Sequence, residues 1–179
     1  MAIKPGFFVS WLQRFSGCLN ERSRPGLAFG RMSFVKHFDH VGITVADLDG
    51  AIAFFESLGL GLEGRMHMEG EFVDTVIGIP GSRSEIATLR APDGGTGVEL
   101  SSFTQPGHEP GSPAAMSNHL GLRNVAFEVN HLDAAIERVG SAGYGLIGGV
   151  GRYEDMWRMA YIRGPEGIIV ALAERIDQG

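Results

Sequence analysis

The sequence predicts an α+β fold made of two βαβββ modules. Three observations carry this: a gapless internal repeat, a glycine that stops a helix in each copy, and a second, shorter echo around a Pro-acid-Gly turn. Residues 39–64 laid over 123–148, an offset of 84, are identical at 11 of 26 positions, where composition alone would give about two.

The elements follow in order. "HVGITV" alternates, with Val41, Ile43 and Val45 on one face and His40, Gly42 and Thr44 on the other. "NVAFEV" repeats this, with Val125, Phe127 and Val129 opposing Asn124, Ala126 and Glu128. A helical period comes next: Leu48, Ala51, Ile52, Phe55 and Leu58 in the first copy, and Leu132, Ala135, Ile136 and Val139 in the second. Asp47 and Asn130 are candidate N-caps, and Gly59 and Gly143 stand where each helix ends with a left-handed residue. A strand then leads toward "TLRAPDGG" at 88–95, echoed by "YIRGPEGI" at 161–168, each a strand running into a tight turn. "GVELSSF" and "IIVALA" close the two copies. The second echo has an offset of 73, so the first copy holds 11 extra residues, around "HMEGEFVDTVIGIPG", read as a short helix or a flap and a candidate lid. The modules run over 34–104 and 120–176, joined by a Pro-, Gly- and Ser-rich linker at 105–119.

Composition narrows the function. The net charge of −6 divides unevenly: residues 1–31 hold five Lys/Arg and one acid, the remainder ten basic and twenty acidic residues. So acidic a body is a poor partner for a phosphate backbone, which sets nucleic acid aside. The longest apolar run near the C-terminus, "GIIVALA", is too short to cross a bilayer, so no membrane partner is expected. One cysteine, Cys18, excludes an intramolecular disulfide and a cysteine-built metal site, and fits a cytoplasmic location. Residues 1–33 lack a clear period and read as a poorly ordered accessory arm.

Alternation brings His40 and Glu99 to the same side of neighbouring strands, where an imidazole and a carboxylate can bind a divalent metal. The bland alternative is a rim histidine beside a solvated glutamate. "DHVGITVADLDGAIAFFESLGL", "PDGGTGVELSSF", "NVAFEVNHLDAAIERV" and "RGPEGIIVALAE" resemble the vicinal oxygen chelate superfamily, which includes glyoxalase I, methylmalonyl-CoA epimerase, extradiol dioxygenases and bleomycin-binding proteins. The resemblance covers about 34–176 and implies paired modules whose sheets curl into a shared, open cup. It implies metal ligands at His40 and Glu99, and at Asn124, whose neutral oxygen is a weaker ligand standing where a histidine is often found. The matching glutamate position of the second module falls on Ala171 with a one-residue gap in the glycine turn, or on Leu172 without it. His119, His67, His108, Glu174 or Glu128 are the residues left to complete a metal shell, each with a duller surface or linker reading. His37, of opposite parity to His40, is expected to be unrelated.

Two functions compete. One is an isomerase or lyase using a divalent ion (Zn, Ni, Co, Mn or Fe) on a small oxygen-chelating substrate such as a hydroxy-ketone, thiohemiacetal or acyl thioester, with Glu128 or Glu174 as the base. The other is a metal-free, antibiotic-sequestering type of protein. Its ligand would lie against Phe103, Tyr153, Trp157, Met159 and Tyr161, with Arg152, Arg158 or Arg123 for an anionic group. A homodimer is the expected assembly.

Overall fold

The computed structural model describes residues 34–176, so the arm at 1–33 lies outside the described residues. The chain divides after Lys36, and the architecture below is that of the unit beginning at His37. Module one runs β1 (His40–Thr44), α1 (Leu48–Ser57), β2 (Gly61–Glu69), α2 (Glu71–Ile77), β3 (Arg83–Arg90) and β4 (Gly97–Gln105). Module two runs β5 (Asn124–Glu128), α3 (Leu132–Ser141), β6 (Gly145–Leu146), β7 (Gly151–Tyr153), β8 (Trp157–Arg163), a 3-10 turn at Pro165–Gly167, and β9 (Ile169–Arg175). The α+β class and the two βαβββ modules stand as expected. The strands form two sheets, ordered β1-β4-β3-β2 and β5-β9-β8-β6 with β7 on β8.

In each sheet the first strand is an edge and runs parallel to the last one. The registers settle the alignment of the copies. His40 pairs with Gly97 and Gly42 with Glu99; Asn124 pairs with Ile169 and Ala126 with Ala171. Ala171 therefore occupies the place of Glu99, and the one-residue gap lies in the turn.

One apolar core serves both modules. Val45, Leu48, Ile52, Phe55, Val98 and Leu100 pack in it together with Leu132, Val139, Ile162, Val170 and Leu172. Phe54 meets the ring of Tyr144 edge-on at 4.9 Å, and Phe55 lies 6.5 Å from Phe127, so the first helix is seated against module two as well as its own sheet. The apolar residues of β1 and β5 thus face the helices, and the alternate residues face away.

The caps show how sequence sets the helix ends. Asp47 accepts from the Gly50 backbone N–H at 2.9 Å and starts α1. In module two the N-cap is His131, without a side-chain cap bond, rather than Asn130. The repeat itself aligns 131, not 130, with Asp47. Gly59 and Gly143 have φ of 100° and 89°, the left-handed stops expected. The extra residues of module one extend β2 to Glu69 and then form α2, whose Asp74 takes the Ser82 hydroxyl and backbone N–H, each at 2.8 Å, and the Gly81 N–H at 2.7 Å.

Candidate functional site

The face of module one turned away from the helices carries His40 from β1 and Glu99 from β4. His40 Nε2 lies 3.9 Å from Glu99 Oε1, with the side chains 40% and 29% exposed, accessible and close enough to share a ligand. The other ring nitrogen, Nδ1, is 2.8 Å from Asp39 Oδ2. A carboxylate can only accept, so this contact places an N–H on Nδ1 and turns Nε2 toward Glu99. Hydrogen bonds from His40 first, and from His37, hold the Asp39 carboxyl below its usual range. His37 Nε2 lies 3.3 Å from Asp39 Oδ1, so it belongs to this chain of groups after all. Parity misjudged it because His37 precedes β1, where strand alternation does not apply. Asp39 was missed as a partner; its only signal was adjacency in "DH".

The remaining candidates are not gathered around this pair. Among the described residues, no three His, Cys, Asp or Glu side chains form a group that could hold a metal. Asn124 is half-buried at the start of β5 and lines a cavity that includes neither His40 nor Glu99. Glu128 is exposed at the end of β5, on the face away from the helices. Glu174 pairs in register with Arg158, and its Oε2 accepts from Arg158 Nη1 at 3.1 Å. Arg158 also forks onto Asp133 of α3 at 2.6 and 2.9 Å, which fixes Glu174 on the helix-covered face, with no bulge to re-aim it. His119 lines the cavity with Asn124, whereas His67 pairs in register with Glu85 on β3 and His108 is an exposed linker residue.

Module two's corresponding face is built differently. Trp157, Met159 and Tyr161 of β8 and Tyr153 of β7 share it, by register, with Ala171 and Ala173 of β9. Trp157, Ala171 and Ala173 are buried. Phe103, the fifth expected aromatic-wall residue, sits across from Ser84 in module one instead.

The cavity, of about 800 Å³, opens between the edge strands β1 and β5 and is lined by Gly42, Thr44, Arg123, Asn124 and Glu166, among others. Two contacts hold its walls. Arg163 Nη1 donates to the carbonyls of Pro113 and Ala115 at 2.7 and 3.1 Å, pinning the linker to module two. Glu166 Oε1 accepts from the Ala46 and Asp47 backbone N–H groups at 2.6 and 2.9 Å, tying the module-two turn to the start of α1. The sequence showed Glu166 only as the acid of a turn.

Residues 39–161 match the family model of the glyoxalase/bleomycin resistance protein/dioxygenase superfamily. The chain belongs to this superfamily. Among solved structures, a glyoxalase family protein from Bacillus cereus is 40% identical with a TM-score of 0.79, the match covering 82% of this chain and 99% of that one. A glyoxalase/dioxygenase from Nostoc punctiforme shares the superfamily fold at 20% identity and a TM-score of 0.57, over 87% and 100% of the two chains. A glyoxalase I mutant from Zea mays does so at 22% and 0.54, over 76% of this chain and 45% of that one. A comparison with curated proteins found no match. Superfamily members commonly bind small molecules, and no described helix of this one is long and apolar enough to cross a membrane.

Proposed function

We propose that this superfamily member is a divalent-metal-dependent isomerase or lyase acting on a small substrate with adjacent oxygens. The observation that supports it is the approach of His40 Nε2 to Glu99 Oε1 at 3.9 Å, with Asp39 behind the imidazole. The pair fits a divalent ion in chemistry: an imidazole oriented by an outer carboxylate, next to a second carboxylate. It supplies two donors, one fewer than the three protein ligands usual at a catalytic zinc, so a chelating substrate and water would take the other positions. Such an ion, when bound, would stabilise negative charge developing on the substrate's oxygens. The chain's own contribution is orientation: Asp39 holds the ring, and Glu99 is set beside it by β1–β4 pairing. Glu128 is the proposed proton carrier. Glu174 is not, since its carboxylate is committed to Arg158 on the other face.

The second reading, metal-free ligand binding, draws on the aromatic face of module two and on Asn124 and Ala171 standing where His40 and Glu99 stand in module one. Metal analysis and calorimetry with Ni²⁺, Zn²⁺ and Co²⁺ separate the two. The enzyme reading expects one bound ion per chain and a loss of affinity of at least about 100-fold in His40→Ala, set by loss of a direct ligand. No bound ion, with His40→Ala indistinguishable from wild type, leaves the binding-protein reading. A homodimer and a cytoplasmic location accompany the proposal, and light scattering on the purified chain tests the first of these.

A further inference from the structure

We propose that the cavity between β1 and β5 is a binding site for a small organic acid with an apolar body, its carboxylate held by Arg123. The inference does not rest on the metal reading, because neither His40 nor Glu99 lines this cavity.

Arg123 carries the argument. Its residue is half-buried, its Nε is buried, and that Nε–H meets no acceptor among the described residues. No carboxylate or carbonyl among the described residues meets the Arg123 guanidinium, and because the residue lines the cavity, an anion entering there can supply the missing partner. The other two arginines considered for an anion are already engaged. Arg152 donates to Asp155 at 2.7 Å, and Arg158 to Asp133 and Glu174.

The surroundings favour an anion at Arg123. The one carboxylate lining the cavity, Glu166, is occupied by two backbone N–H groups at the positive end of α1. Ser112, Asn118 and Asn124 add hydroxyl and amide donors to the lining, and His119 adds an imidazole. A planar guanidinium offers two parallel N–H bonds to a planar carboxylate. Thr44 adds a further hydroxyl, and Ala115 and Ile169 add apolar surface to the lining. Leu120 and Leu122 stand on the linker side 98% and 66% exposed, which leaves apolar surface for a hydrocarbon body. A volume of about 800 Å³ admits a molecule of that size.

The test titrates octanoate and 1-octanol into the uniformly ¹⁵N-labelled full chain, following the arginine Nε–H signals and measuring affinity by calorimetry. Octanoate is expected to bind at least about tenfold more tightly than octanol, a margin set by one charge-assisted pair, and to shift one Nε–H signal that Arg123→Gln removes. Arg123→Gln should bring octanoate to the level of octanol, with Arg123→Lys between. Equal binding of the acid and the alcohol, or an unchanged affinity in Arg123→Gln, overturns the proposal. So does inorganic phosphate displacing octanoate at equal concentration, which would assign the guanidinium to a phosphate. A dimer in solution that binds neither probe and dissociates on Leu120→Glu would also overturn it, by showing that a second copy covers the cavity mouth. If Arg123→Gln does not fold, the wild-type signal decides: it moves with octanoate and not with octanol, or the assignment fails.

Discussion

On the first sheet, His40 and Glu99 stand 3.9 Å apart with Asp39 behind them; the equivalent places on the second sheet hold Asn124 and Ala171. The contrast extends across both faces. Module one keeps its ionisable pair accessible, whereas module two lays Trp157, Met159 and Tyr161 alongside small, buried alanines. Yet both copies retain the parts that make the fold. Val45, Leu48, Ala51 and Ile52 have identical counterparts at 129, 132, 135 and 136, all in or against the shared core. None of the residues of β1 and β5 that face away from the helices is the same in the two copies. Packing constrains one side of each sheet and leaves the other free to take up different chemistry, so a duplicated module can hold one polar site and one apolar wall on the same frame.

The turns before the last strands offer the sharpest way to break that comparison. Gly94 and Gly167 are matched in sequence, with φ of 71° and 86°. A Cβ at Gly94 would meet nothing within 4 Å, but one at Gly167 would lie 2.3 Å from the Pro113 carbonyl oxygen. Gly94→Ala is therefore expected to cost about 1 kcal/mol, the left-handed penalty alone. Gly167→Ala should cost about 2–4 kcal/mol, because displacement of the linker adds an overpacking term of about 1–3 kcal/mol to that penalty. Urea denaturation of the two variants measures the gap; equal losses would mean that the linker does not rest on the module-two turn.

The acids of the same turns give a smaller contrast. Glu166 reaches across to the α1 start, whereas Asp93 accepts only from Gly95 N–H at 3.0 Å within its own turn. Glu166→Ala should cost about 1 kcal/mol, as loss of a helix cap does, and Asp93→Ala a few tenths at most, the usual range for a surface change. Hydrogen exchange at Ala46 and Asp47 should quicken only in the first variant. Exchange that is unchanged there would remove the tie between the modules.

How much of this could be read from the chain depends on whether a residue's role is local or distant. The modules, the helix faces and the parity of β1 and β4 were legible, because hydrophobic period and repeat alignment report on backbone geometry directly. Ala171 as the counterpart of Glu99 was legible only as one of two registers, since the gap hides in a turn that has no periodicity. Long-range polar contacts gave no such signal. Glu166 meets Ala46 and Asp47 across 120 and 119 residues. Arg163 meets Pro113 across 50. Glu174 was ranked beside Glu128 as a base, although alternation already placed it on the wrong face, and Arg158 is the partner that holds it there. The candidates to complete the shell around His40 were histidines and glutamates farther along the chain, whereas its nearest partner is the adjacent Asp39.

The smallest effect concerns the segment that only module one possesses. Asp74 of α2 is held below its ordinary carboxylate range, first by the Ser82 hydroxyl and then by the Gly81 and Ser82 backbone N–H groups. The unfolded chain therefore takes up a proton at this group at higher pH than the folded chain does. The contribution to stability is fully present above the ordinary carboxylate range and is lost as pH falls through the depressed folded value. Acidification should accordingly loosen the α2–β3 connection, with faster exchange at Gly81 and Ser82 in the wild type. In Asp74→Asn, exchange at these amides should be fast already at neutral pH and nearly independent of acid. The links before β7 in module two have no such carboxylate and should respond to neither change. A pH response in the wild type that persists in Asp74→Asn would trace the acid sensitivity to another group and leave α2 held by Val73, its buried apolar residue, alone.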